Sequence, residues 1–238
     1  MTTTAILVDG GFYQKRARRL FGEKSPEERA DELIEYCYRH LKRKKEGERH
    51  LYRIFYYDCP PSSKNVMNPI NRKTISLEKS DLFSWTNNFF NQLKEKRKVA
   101  LRLGELQDSS LSYQLKPEIL KKLMSRKITV DQLTLQDFKL DIQQKGVDMR
   151  IGLDIASLAY KKLVNQIILI AGDSDFVPAA KHARREGIDF ILDPMWHTIK
   201  DSLYEHIDGL ETCVKKEPDN LKDPLCEISF VYKTTISE

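Results

Sequence analysis

Gln166-Ile167-Ile168-Leu169-Ile170-Ala171-Gly172-Asp173-Ser174-Asp175-Phe176 decides the fold of this chain. An apolar run of strand length without polar alternation is what a strand covered on both faces looks like, so the pattern predicts a central strand of a parallel sheet. Gly172 lets the chain turn at its carboxyl end, and Asp173 and Asp175 fall where open α/β sheets form their ligand crevice. The N-terminus repeats the pattern in miniature: Thr4-Ala5-Ile6-Leu7-Val8-Asp9-Gly10-Gly11 is a short apolar strand closed by a carboxylate and glycines. Two strand-terminal acids, far apart in the chain, are then candidates for one crevice.

Between these strands the periodicity alternates. Tyr13, Ala17, Leu20 and Phe21 recur at helical spacing, with Lys15, Arg16, Arg18 and Arg19 on the other faces. Ser25-Pro26-Glu27-Glu28 reads as a capped helix start, with Ala30, Leu33, Ile34, Cys37 and Leu41 as its buried stripe. Leu51 to Tyr57 predicts a second strand, closed by Asp58-Cys59-Pro60-Pro61, and Ser62 to Arg72 a polar loop. Leu82, Trp85, Phe89 and Leu93 mark a helix, and Val99 to Leu106 a third strand. Residues 107–135 read as an insertion with one helix near Pro117 to Arg126; Phe138, Leu140 and Ile142 then alternate as a half-buried strand. Ile151, Ile155, Leu158 and Ala159 form a helix feeding the central strand, and Phe176, Ala179, Ala180 and Ala183 one leaving it, stopped by Gly187. Ile188 to Leu192 predicts a last core strand, Ile199, Leu203, Ile207 and Leu210 a last core helix, and Cys226 to Lys233 an edge strand in the tail.

This alternation predicts an α/β, Rossmann-like three-layer fold, with a mainly parallel sheet flanked by helices. A chain of 238 residues suits one large domain over residues 1–212, with the insertion inside it and a tail from 213 to 238. The four cysteines, Cys37, Cys59, Cys213 and Cys226, form no CxxC pair, which argues against a disulfide framework and a zinc site. No apolar run is long enough to cross a bilayer and no leader pattern opens the chain, so no membrane partner and a cytoplasmic location are expected. Nothing in the sequence points to a homo-oligomer. A net charge of +5 mildly favours a polyanionic partner.

If the first strand and the Gln166 to Ala171 strand are neighbours, Asp9, Asp173 and Asp175 converge, and Asp148, at a helix start after Lys145-Gly146-Val147, joins from the side. Carboxylates crowded together raise one another's pKa, a conflict that a divalent cation resolves. Ligation by carboxylates without His or Cys suits Mg²⁺ or Mn²⁺, which polarises a phosphoryl oxygen and activates water for in-line attack on a phosphodiester. Lys145 offers a point charge to the phosphate, and Lys15, Arg16, Lys181, Arg184 and Arg185 a track for a nucleic-acid backbone. Blander readings stand beside these. Asp175 and Asp148 fit helix N-caps, Asp154 fits a surface ion pair with Arg150, the arginine-rich faces fit solvated surface, and Trp196-His197 a packed aromatic beside a surface His.

The strand ending in Asp9, the motif Lys145-Gly146-Val147-Asp148 with Asp154 after it, and Gly172-Asp173-Ser174-Asp175-Phe176 followed by Pro178 resemble the NYN domain, in the LabA-like branch of the PIN-like nucleases. The resemblance runs from about Thr4 to Leu210. It implies a metal-dependent ribonuclease acting on single-stranded RNA, with Asp9, Asp148, Asp173 and Asp175 at the acidic positions and Asp154 in second rank. Where the family often carries Asn shortly after the first Asp, this chain reads Asp9-Gly10-Gly11-Phe12; Ser174 offers a hydroxyl in place of that amide. Two alternatives remain: a non-catalytic RNA-binding or adaptor module of the same fold, and a haloacid-dehalogenase-type phosphatase, which needs a second Asp where Gly11 stands.

Overall fold

A computed structural model describes residues 1–42, 47–106, 111–142 and 144–214. The expected edge strand at Cys226 to Lys233 lies outside the described residues. In chain order the elements are β1 (Thr2–Asp9), α1 (Gly10–Phe21), α2 (Pro26–Leu41), β2 (Arg49–Asp58), β3 (Asn65–Met67), β4 (Thr74–Ser76), α3 (Asp81–Glu95), β5 (Val99–Leu103), β6 (Glu105–Leu106), β7 (Ser112–Leu115), α4 (Pro117–Met124), β8 (Phe138–Asp141) and β9 (Gln144–Lys145). They continue with α5 (Val147–Tyr160), β10 (Gln166–Ile170), α6 (Val177–Arg185), β11 (Asp189–Asp193), α7 (Asp201–Tyr204) and β12 (Gly209–Leu210).

The apolar runs predicted as covered strands form a six-stranded parallel sheet in the order β12-β11-β10-β1-β2-β5. Because side chains alternate across a strand, each run feeds two cores at once. Ala5, Leu7, Phe55, Tyr57, Ile167 and Leu169 face the helices α5 and α6. Ile6, Val8, Ile54, Tyr56, Ile168 and Ile170 face α1, α2 and α3. Three layers result, and no helix among the described residues is long and apolar enough to cross a membrane.

The chain runs outward from β1 through β2 to β5, then returns to β10 on the other side of β1 and runs outward again to β12. The switch point is therefore the β1/β10 pair, where Val8 lies opposite Ile170. The crossover helices leave in opposite directions there and open a crevice at the carboxyl ends.

Several expectations change in detail. The run Val99 to Leu106 breaks at Gly104, because β6 leaves the sheet to pair antiparallel with β9. The Ser62 to Arg72 loop contains β3, paired with β4, and β8 pairs with β7 inside the insertion rather than with the main sheet. The expected last helix is only Asp201–Tyr204; Leu210 belongs to β12. Ser25 caps α2 through a full capping box with Glu28, as its sequence suggests.

Beneath the sheet α2 carries a polar seam that the apolar stripe conceals. His40 and Asp193 are both fully buried, with Nε2 to Oδ2 at 2.8 Å. Asp193 also accepts from Tyr36 Oη at 2.5 Å, Met195 N at 2.8 Å and Thr212 Oγ1 at 2.9 Å. Burial pulls the His40 pKa down, but the hydrogen bond to Asp193 and the neighbouring Cys213 outweigh it and hold it up to about 10. Arg49 reaches from β2 to Glu211 at 3.0 Å and to the carbonyl of His40 at 2.9 Å. Together these tie α2 and β2 to the end of β11 and the residues that follow β12.

Candidate active site

Three close approaches of backbone shape the rim at the switch point. A Cβ on Gly10 would lie 2.6 Å from the carbonyl oxygen of Tyr57 and 2.7 Å from Asp58 Oδ2. On Gly172 it would lie 2.5 Å from the Phe12 ring, so the start of α1 packs against the exit of β10. On Gly104 it would lie 2.7 Å from the Lys145 carbonyl oxygen, and this contact carries the start of α5 to the end of β2. Real Cβ atoms do not tolerate such distances, which explains the glycines flanking the acids. Gly10→Ala is expected to lower stability by roughly 1–3 kcal/mol through overpacking against a rigid carbonyl. A urea midpoint equal to wild type would show that the rim yields.

Asp9 ends β1 and caps α1, its Oδ1 accepting from the Phe12 amide at 3.1 Å. Burial raises its pKa to about 6 against the lowering effect of that hydrogen bond, and the charges of Asp148 and Asp58 add to the rise. Asp148 stands in the first turn of α5; partial burial and the charges of Asp173 and Asp175 raise it as well. Asp173 and Asp175 are exposed at the exit of β10, where Asp173 Oδ1 accepts from the Asp175 amide at 3.1 Å. The capping roles are thus exchanged relative to expectation. Asp9 and Asp173 are the caps, whereas Asp175 and Asp148 are first-turn acids, because Gly146 takes the left-handed cap position with φ of 79° and the helix starts at Val147.

Asp58 is the member that the sequence reading missed. It ends β2 beside Asp9, accepts from Tyr56 Oη at 3.2 Å and from the Cys59 amide at 2.8 Å, and burial raises its pKa. The signal was present, since Asp58 closes an apolar strand as Asp9 does, but the prolines after it read only as a stop.

The acids form an electrostatic chain along the rim, Asp58 to Asp9 to Asp148 to Asp173 and Asp175, rather than one pocket. Among the described residues no group of three or more His, Cys, Asp or Glu side chains is arranged to hold a metal ion. The four expected ligands are spread along the rim, Asp9 on β1, Asp148 on α5 and Asp173 with Asp175 on the turn after β10, and Asp9 and Asp173 each have an oxygen tied to a local backbone amide. The donor set still suits a hydrated hard cation, which takes one or two carboxylates and completes its shell with water and phosphate oxygens.

The expected cations divide. Lys145 and Lys15 are exposed, the first on β9 and the second on α1. Arg16 instead holds the carbonyl of Met195 through Nε at 3.0 Å and Nη2 at 2.5 Å, bracing a turn in which Met195 and Trp196 adopt φ of 45° and 60°. Arg184 pairs with Asp208 at 2.8 Å and joins α6 to the segment before β12. Ser174 accepts from Lys200 Nζ at 3.1 Å, so a lysine with no motif around it stands over the Asp173–Asp175 turn. Asp154 pairs with Arg102 at 3.0 Å and accepts from Tyr57 Oη at 2.8 Å. Its partner is therefore not Arg150, because Asp154 faces the sheet end where β2 and β5 bring Tyr57 and Arg102 together. Trp196 is half-buried, donating to the Val214 carbonyl at 3.1 Å, and His197 is exposed with its ring edge-on to Phe12.

A family model of the NYN domain matches residues 4–205. No curated protein matches the chain. Among solved structures, the chain is similar to a protein of unknown function from Vibrio parahaemolyticus, with 15% identity, a TM-score of 0.43, and coverage of 88% of this chain and 91% of that one.

Proposed function

Since the chain belongs to the NYN domain family, part of the PIN-like nuclease superfamily, we propose that it is a metal-dependent endoribonuclease hydrolysing phosphodiesters of single-stranded RNA at the β1/β10 rim. The observation that carries this reading is the row Asp58, Asp9, Asp148, Asp173 and Asp175 at the topological switch point, in which burial and then the charges of Asp148 and Asp58 raise the Asp9 pKa, and burial and then the charges of Asp173 and Asp175 raise that of Asp148. Such a row favours a bound cation and disfavours an anionic substrate approaching without one.

Asp9 and Asp148, with Asp173 and Asp175 beyond them, would hold Mg²⁺ or Mn²⁺. When bound, that ion supplies Lewis acidity to the phosphoryl group. The residues of the chain then do the rest. Asp58 and Asp9 are kept in place by the Gly10 contact and by hydrogen bonds from Cys59 and Phe12. Carboxylates of raised pKa suit acceptance of a proton from an attacking water near neutral pH. Lys200, beside Ser174, and Lys145 offer point charges to the nonbridging phosphate oxygens. The exposed basic residues of α1 meet the RNA backbone, with Arg16 excluded because Met195 engages it.

Labelled single-stranded RNA with Mn²⁺ is expected to be cut by wild type, and to be bound without cutting in EDTA or by Asp173→Asn. Equal cutting by the variant would mark a contaminant. Binding without cutting by wild type would favour a non-catalytic RNA-binding module, a reading supported by Gly10-Gly11-Phe12 standing where the family often carries Asn and by the small charge excess.

A further inference from the structure

Beside the carboxylate rim lies a pocket of about 370 Å³, which runs from Gly11 and Asp58 at the rim to Phe83, Trp85 and Phe89 on α3. That volume lies at the lower end of the range of small-ligand sites. Its far wall is aromatic. Trp85 stacks on Phe89 with centroids 5.2 Å apart and nearly parallel planes, and the Arg18 guanidinium stands 5.9 Å from the Trp85 centroid.

One polar atom in this wall is unaccounted for. Gln14 lines the pocket, and its Oε1 is buried without a hydrogen-bond partner. The other end of the amide is oriented: Nε2 donates to Tyr56 Oη at 3.5 Å, and that hydroxyl donates onward to Asp58 Oδ2 at 3.2 Å. The amide therefore turns an acceptor, not a donor, to its surroundings. Buried acceptors in native structures have partners, so this one calls for a donor from a ligand.

We propose that this pocket seats a nucleobase of the RNA adjacent to the scissile phosphate, and that Gln14 selects a base whose exocyclic amine stands where uracil carries O4, adenine or cytosine, over uracil. The inference rests on the reading of the rim as a ribonuclease site. A strand whose phosphate lies at Asp58 and Asp9 has its next base within reach of the pocket. Unstacked bases of single-stranded RNA dock on aromatic side chains and on guanidinium planes, which α3 and Arg18 supply. The amine of adenine or cytosine donates to Gln14 Oε1. Uracil presents a carbonyl oxygen in the same place and leaves two acceptors facing each other.

The test uses the full chain with Trp196→Phe, which leaves Trp85 as its single indole, titrated in EDTA with AMP, CMP and UMP while tryptophan fluorescence is followed. AMP and CMP are expected to quench it at least about fivefold more tightly than UMP. Gln14→Leu removes that preference, and Phe83→Ala weakens all three by about tenfold with the melting temperature near that of the parent. UMP binding as tightly as AMP, an undiminished preference in Gln14→Leu, or no quenching by any nucleotide overturns the pocket. RNA cleavage without nucleotide quenching overturns the pocket alone; quenching with no cleavage overturns the nuclease reading alone.

Discussion

Asp9→Asn is expected to raise the melting temperature while it removes RNA cleavage. Burial, with the charges of Asp148 and Asp58, holds the Asp9 carboxyl near pKa 6 in the folded chain, against an ordinary value of 3.8. A carboxyl that keeps its proton more tightly when folded favours the native state only while it is protonated. The contribution is present below about pH 4, is lost as pH rises through 6, and is absent above it. At pH 7.5 without metal, wild type therefore holds an ionised Asp9 at a disadvantage of about 2–3 kcal/mol. Asn leaves the amide acceptor for Phe12 in place and removes the charge, so the variant melts roughly 5–10 °C higher at pH 7.5 in EDTA and level with wild type at pH 4. Added Mn²⁺ narrows the gap by stabilising wild type more than the variant. Loss of residues that merely orient metal ligands typically costs 10–100-fold, so cleavage by Asp9→Asn falls by at least about a hundredfold. Scanning calorimetry across pH together with the RNA assay measures both. A variant no more stable than wild type at pH 7.5 would show that Asp9 is not under charge stress, and retained cleavage would remove it from the chemistry.

The second large effect lies in the seam under the sheet. Asp193→Asn deprives a protonated, fully buried His40 of its counter-charge, and the single amide oxygen of the variant can accept from only one of the two donor pairs that Asp193 serves, Tyr36 with His40 or Met195 with Thr212. Breaking a buried pair from one side costs about 3–5 kcal/mol. In wild type the raised His40 pKa contributes stability that is complete below pH 6.5 and fades as pH rises toward 10; in Asp193→Asn that slope disappears. Urea unfolding at pH 7 and pH 9.5 reads both effects, and a loss below about 1 kcal/mol would show that the seam is replaceable.

The alternation of strands and helices was legible because covered strands write themselves as unbroken apolar runs; the adjacency of β1 and β10 entered only as a condition, since such runs do not report strand order. The strands β3, β4, β6, β7, β9 and β12 were not, being two to four residues long, too short to show a period. Asp58 was hidden by its prolines. The exchange of caps between Asp173 and Asp175, and between Gly146 and Asp148, turns on backbone angles at one or two residues, which composition does not report. His40 sits at helical spacing from Tyr36 on a helix whose apolar residues suffice to explain its burial, and its partner Asp193 comes from the far end of the chain. Arg16 was assigned to the substrate because a loop carbonyl leaves no mark in sequence.

The position of β1 between β2 and β10 has a consequence in time. As the ribosome releases this polypeptide, the first strand finds β2 early, but its other edge stays unfilled until β10 emerges. Phe12 likewise waits for Gly172. A nascent chain halted before that point holds Asp58, Asp9 and Asp148 but lacks Asp173 and Asp175. The rim is therefore assembled only once β10 and the turn that carries Asp173 and Asp175 have been made.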